Sequence, residues 1–155
     1  MLELFISHFV KKSQDAPWLI GSHRGRLYAD NAAALHEFIV CRTKQKVIWI
    51  ASSKKLLQQM KEQKIPALKR DSFRARMAML RAPVLIYSHG EDDLDFFMRY
   101  FRGRLGTRIF LNHSQNFLKT GYAAVPEFEK LGAKAQKKFL KRICDFDYLL
   151  AGSEL

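Results

Sequence analysis

The chain has 155 residues, of which 48% are hydrophobic and 27% charged, which excludes an intrinsically disordered polymer and leaves enough apolar mass for a single domain; two are not expected. Twenty-seven lysines and arginines against 15 aspartates and glutamates give a net charge of +12, so an acidic partner is expected: nucleic acid, an anionic bilayer surface or a phosphate-rich substrate. Only two cysteines, Cys41 and Cys144, stand far apart without a C-x-x-C pair, which excludes a disulfide scaffold or a zinc ribbon and fits a reducing, cytoplasmic setting.

Met1 to Val10 carries Leu2, Phe5, Ile6, Phe9 and Val10 at helical spacing, and its Glu3 and His8 do not suit a signal peptide. Trp18 to Gly21 reads as a buried strand entering a polar loop, after which Asp30 or Asn31 caps a helix with Leu35, Phe38 and Ile39 inward. Val47 to Ala51, β-branched and aromatic, reads as a strand buried on both faces. A helix over Lys54 to Gln63 ends before Pro66, and a basic helix capped by Asp71 or Ser72 runs to Arg81. Val84 to Tyr87 is the next strand, Leu94 to Phe101 a short aromatic helix, and Arg108 to Asn112 a further strand. Pro126 opens the final helix, to Ile143, before a strand around Tyr148 to Ala151. Gly152 to Leu155 then reads as a strand end leading into a helix that the chain does not supply, as if the architecture continued.

Short apolar strands alternating with amphipathic helices build a parallel sheet covered on both faces, so the expected fold class is α/β, a Rossmann-like parallel sheet with helices on both faces. Ligands of such sheets bind beyond the carboxyl ends of the strands. The polar residues after each strand are therefore the candidates: Ser22, His23 and Arg24; Ser52 and Ser53; Ser88, His89 and Gly90; Asn112, His113 and Ser114. Three of the five histidines fall on this rim, which suits proton transfer or phosphate binding. Gly21-x-x-x-Gly25 is not a dinucleotide fingerprint and no P-loop exists, so a nucleotide cofactor is not expected. No H-E-x-x-H or D-x-D run offers metal ligands, and Asp92, Asp93 and Asp95 read as the solvated first turn of a helix. The stretch from Phe96 to Leu105 interleaves aromatics with arginines, a pattern for an anionic lipid surface. Stacking on single-stranded nucleic acid is the alternative, without a known recognition motif behind it.

The run from Trp18 to Phe38, with Gly21, Gly25, Asp30-Asn31 and Ala34-Leu35, resembles the opening motif of the CDP-glycerol:poly(glycerophosphate) glycerophosphotransferases. Asn112 to Gly121 resembles that family's histidine- and lysine-containing motif, and Phe146 to Glu154 its late Asp-Tyr strand. The resemblance implies the N-terminal half of a GT-B fold, an acceptor-side domain spanning 1–155 that stops before the donor-binding half. It further implies a lipid-linked polyol-phosphate acceptor at the inner membrane face, with CDP-glycerol held by the missing half. By the same resemblance His113 is the base that deprotonates the acceptor hydroxyl, and Lys119 steadies phosphate charge; by their place on the rim, His23, Arg24, Ser88 and His89 are further substrate-binding candidates. Asn112, Ser114 and Gln115-Asn116 depart from the family pattern around His113. Without a donor half the chain is not expected to turn over. The non-enzymatic alternative is a basic α/β module that binds nucleic acid or another protein.

Overall fold

The computed structural model describes residues 10–111, 130–143 and 146–149. Six strands form one sheet: β1 (Trp18–Gly21), β2 (Val47–Ala51), β3 (Ala67–Lys69), β4 (Val84–Tyr87), β5 (Thr107–Phe110) and β6 (Tyr148–Leu149). Their order is β3-β2-β1-β4-β5-β6 and every pairing is parallel, which is the doubly wound, Rossmann-like arrangement. The helices are α1 (Asp30–Arg42), α2 (Lys54–Glu62), α3 (Phe73–Arg81) and α4 (Ala133–Ile143).

Alternation along the strands sorts the core onto two faces. Ile20, Trp49 and Ile86 pack beneath Ala32, Ala33 and Ile39 of α1 and Leu56 and Met60 of α2. On the other face, Leu19, Ile50 and Leu85 meet Ala75, Met79 and Leu80 of α3 together with Leu94, Met98 and Phe101. A parallel sheet needs this double cover, because each strand is apolar on both sides. Chain order runs outward from β1 to β3 and returns through α3 to β4, so the strand order reverses between β1 and β4.

Several expectations are corrected. The sequence reading has no β3: Ala-Leu-Lys after Pro66 lacks β-branched residues, and its pairing of Ala67 to Lys69 with Trp49 to Ala51 defines it. The stretch after Leu94 is a 3-10 segment over Met98–Arg104, although Leu94, Met98 and Phe101 are buried at helical spacing. The cause is side-chain competition for backbone donors: Asp71 accepts the N–H of Phe96 at 2.8 Å and Asp95 that of Phe97 at 2.7 Å. Ser72 caps α3 through the Ala75 N–H, and Ser53 caps α2 through that of Leu56, both at 3.1 Å. The acids read as a solvated turn are not solvated throughout, for Asp93 is 0% and Asp95 2% exposed. The opening helix, Pro126 and the last residues from Leu150 lie outside the described residues.

Candidate functional site

Gly21 of β1 is in register with Tyr87 of β4, so Ser22-His23 and Ser88-His89 leave the sheet side by side where the strand order reverses. Beyond β1 the chain turns tightly through His23–Gly25, with φ of 50° at His23 and 55° at Arg24, conformations that L side chains adopt at a cost. Gly25 continues the turn at φ 71°, and a Cβ there would stand 2.8 Å from the Ser52 nitrogen; the Gly25 carbonyl instead accepts the Ser52 N–H at 2.6 Å. A Cβ on Gly21 would stand 2.6 Å from the carbonyl oxygen of Asp93. The G-x-x-x-G spacing thus lets one loop lie against the end of β2 and against the turn after β4.

The Asp93 side chain ties these loops together. Its Oδ2 accepts the N–H groups of Ser88 and His89 at 3.0 and 2.8 Å, and its Oδ1 accepts that of Arg24 at 2.6 Å. With its backbone partners fixed, His89 packs its ring on that of His23, centroids 4.1 Å apart, and its Nδ1 lies 3.7 Å from Asp93 Oδ2. Asp30 opens α1 at φ 59° and makes no side-chain cap; its carboxylate pairs with Nε2 of His23 instead. Asn31 beside it donates from Nδ2 to the Leu111 carbonyl at 3.4 Å. The Asp-Asn pair of the opening motif therefore reaches to within one residue of the second motif, which starts at Asn112.

Of the candidates, His23, Arg24, Ser88 and His89 converge on this rim. Ser22 and Ser88 are fully buried and their hydroxyls have no hydrogen-bond partner among the described residues. Arg24 is exposed, with Nε 4.0 Å from Asp92 Oδ2. Ser52 serves the Gly25 turn, while His113 and Lys119 lie outside the described residues. Sequence reading undervalued Asp30 and Asp93; the available signal was the four-residue step from His89 to Asp93, short enough for a carboxylate to turn back on the loop that precedes it. His36, by contrast, is a core residue: Tyr28 Oη lies 2.9 Å from its Nδ1, Trp49 stands edge-on, and burial lowers its pKa against the opposing pull of Glu37.

Beyond Asp93 the chain is stapled down through Arg76, whose Nε donates to Asp95 Oδ2 at 3.0 Å, and through Arg70, whose Nη1 donates to the Asp92 carbonyl at 2.6 Å. Burial raises the pKa of Asp95, while the Phe97 N–H and Arg76 pull it down. Phe96, Phe97 and Tyr100 follow as an exposed aromatic patch, with ring centroids 5.1 and 6.0 Å apart in succession. Arg76 lies over the Phe97 ring and Arg99 over the Tyr100 ring, 5.1 and 5.0 Å from their centroids. A depression of about 410 Å³ lined by Lys12, Pro83, Thr107 and Asp147 sits at the other end of the strands.

The family model of CDP-glycerol:poly(glycerophosphate) glycerophosphotransferase matches residues 3–155. The chain belongs to this family. A solved structure, that of the wall teichoic acid polymerase TagF, resembles the chain with a TM-score of 0.60 at 15% identity, covering 95% of this chain and 36% of that one. At this identity the likeness speaks of the fold, and the chain spans about a third of the length of that protein. No curated protein sequence matches the chain. For this member of the glycerophosphotransferase family, the glycines and the Asp-Asn pair of the opening motif have physical duties: the glycines admit close loop packing, Asp30 meets His23, and Asn31 holds the end of β5. Asp147 of the late strand clamps β6 to β5, accepting the Arg108 N–H at 2.7 Å while its own N–H donates to the Arg108 carbonyl at 2.9 Å.

Proposed function

We propose that the chain is the acceptor-side domain of a glycerophosphotransferase that moves glycerol phosphate from CDP-glycerol to a polyol-phosphate chain. The observation that carries this reading is the meeting of His23, Arg24 and His89 at the reversal point of the sheet, in a chain of this family. Polar groups at that point face the crevice where doubly wound sheets take ligands. Arg24 and the two imidazoles suit an anionic acceptor, with Lys119 as a further cation; Ser88, fully buried, does not present its hydroxyl to the crevice. In this reading His113, three residues past β5 in sequence, takes the proton of the acceptor hydroxyl as its oxygen bonds to the β-phosphorus of CDP-glycerol; the bond to CMP breaks and CMP leaves. The donor would be bound by a second domain outside residues 1–155. Asn31 supports the role of His113, since it fastens the backbone at Leu111 to the start of α1, beside Asp30 and His23.

The same reading places the protein on the inner face of the membrane. The exposed Phe96, Phe97 and Tyr100 begin three residues after Asp93, so a bilayer meeting this patch would lie close to the site that takes a lipid-linked acceptor. Arg99 over the Tyr100 ring and a net charge of +12 favour anionic headgroups. Co-sedimentation with vesicles containing anionic phospholipid tests this: the wild type pellets, and Phe96→Ser with Phe97→Ser lowers binding at least fivefold. If the chain instead leaves vesicles untouched and binds oligonucleotides with a steep salt dependence, the nucleic-acid alternative replaces it.

A further inference from the structure

We propose that His23, Asp30 and His89 form a binding site for a divalent transition-metal cation, with Asp93 as its positioning residue. One ligand atom of each of the three lies within 4.8 Å of the other two. In a tetrahedral site with bonds of about 2.0–2.1 Å such atoms stand roughly 3.4 Å apart, so modest side-chain rotation closes the shell. The three side chains have room for it: His23 is 30%, Asp30 40% and His89 26% exposed.

Ligand chemistry selects the kind of ion. Two imidazoles and one carboxylate suit zinc and its first-row neighbours, whereas magnesium and calcium prefer all-oxygen shells. Three protein ligands leave a coordination position for water or an anionic oxygen. The backbone is arranged for the same end. His23 and Asp30 both hold left-handed φ values, 50° and 59°, and strain of this kind collects where function requires a side chain to be aimed. Asp93 fixes the backbone on both sides, holding the N–H of Arg24, next to His23, and that of His89 itself, and so positions both imidazoles through their main chain. An ion pair between His23 and Asp30 alone accounts for neither the second imidazole 4.1 Å away nor the anchoring of both loops. No local motif announces the site, since the ligands come from three separate loops.

The inference stands apart from the transferase reading, because cation binding is measured on the chain itself. Chelator-stripped protein carrying Cys41→Ser, which removes an exposed free thiol, is titrated with Co²⁺ by absorbance and with Zn²⁺ by calorimetry. We expect one ion per chain at micromolar affinity or tighter, a rise in Tm on loading, and at least tenfold weaker binding in Asp30→Asn and in His89→Gln. Asp93→Asn should weaken binding by a smaller factor, and Asp92→Asn, at a half-exposed acid outside the trio, should leave it unchanged. Apo forms of the two ligand variants should melt within a few degrees of the parent. No stoichiometric ion, equal binding in Asp30→Asn and His89→Gln, equal loss in Asp92→Asn, or a cobalt spectrum dominated by sulfur ligation would overturn the assignment.

Discussion

The carboxylate of Asp93 accepts the backbone N–H of Arg24 at 2.6 Å, across 69 residues of sequence. With its further bonds to Ser88 and His89, this makes one buried acid the common anchor of the two loops that leave β1 and β4. Replacing it by asparagine puts an amide donor against backbone donors. Asp93→Asn should cost about 2–3 kcal/mol, read as a Tm lower by roughly 4–12 °C, and should broaden the amide resonances of Arg24 and His89. An unchanged Tm would mean that the loops do not depend on this acid.

Gly25 combines a φ of 71° with a Cβ position 2.8 Å from the Ser52 nitrogen. Gly25→Ala should therefore destabilise the chain by about 2 kcal/mol or more, through strain and clash together. Gly103→Ala, where a Cβ meets nothing within 4 Å, is the control and should change stability by less than about 0.5 kcal/mol. Chemical denaturation of both variants checks the contrast.

Tyr28 and His36 set a pH window for stability. Burial holds the His36 imidazole below its ordinary value of 6.5, with Glu37 opposing. Below about 6.5 the unfolded chain thus takes up a proton that the folded one resists, and stability falls with falling pH. Burial, aided by Glu37, pushes the Tyr28 hydroxyl up to about 12 from 10. Its contribution is complete below pH 10 and is lost as pH rises from there towards 12. Thermal melts should show the pair's full contribution between about pH 7 and 10, and His36→Gln should flatten the acid limb. A wild-type acid limb no steeper than that of the variant would contradict the assignment.

At Asp147, partial burial raises the carboxyl pKa, but hydrogen bonds from the side chain and backbone of Arg108 outweigh it and the net shift is downward. Its contribution is present above the ordinary value of 3.8 and fades as pH falls through the lower folded value. Because the side chain is 44% exposed, solvent screening keeps the effect small. Asp147→Asn should cost about 1 kcal/mol or less overall, yet speed amide hydrogen exchange in β6, which pairs with β5 directly after this clamp.

Much of this molecule was legible in its sequence. The apolar runs at 18–21, 47–51 and 84–87 marked the three central strands, because a strand buried on both faces must be apolar throughout. The rule that ligands lie past strand ends puts His23 and His89 on one rim, where their rings meet. What stayed hidden is long-range or cooperative. β3 exists through its neighbour, and the 94–104 segment loses its helix to the carboxylates of Asp71 and Asp95. Asp30 reads as a cap by position but spends its carboxylate on His23, and Asp93 reads as a surface acid until its three amide partners enclose it.

In the proposed function the rim at the β1–β4 reversal receives the anionic acceptor. Heteronuclear NMR of the isotope-labelled chain, titrated with a short poly(glycerol phosphate), tests it most directly. We expect saturable shifts at His23, Arg24 and His89, little change at buried His36, and at least tenfold weaker binding in Arg24→Ala. Shifts confined to Lys12, Thr107 and Asp147 at the far end of the strands, or equal binding by Arg24→Ala, would contradict it.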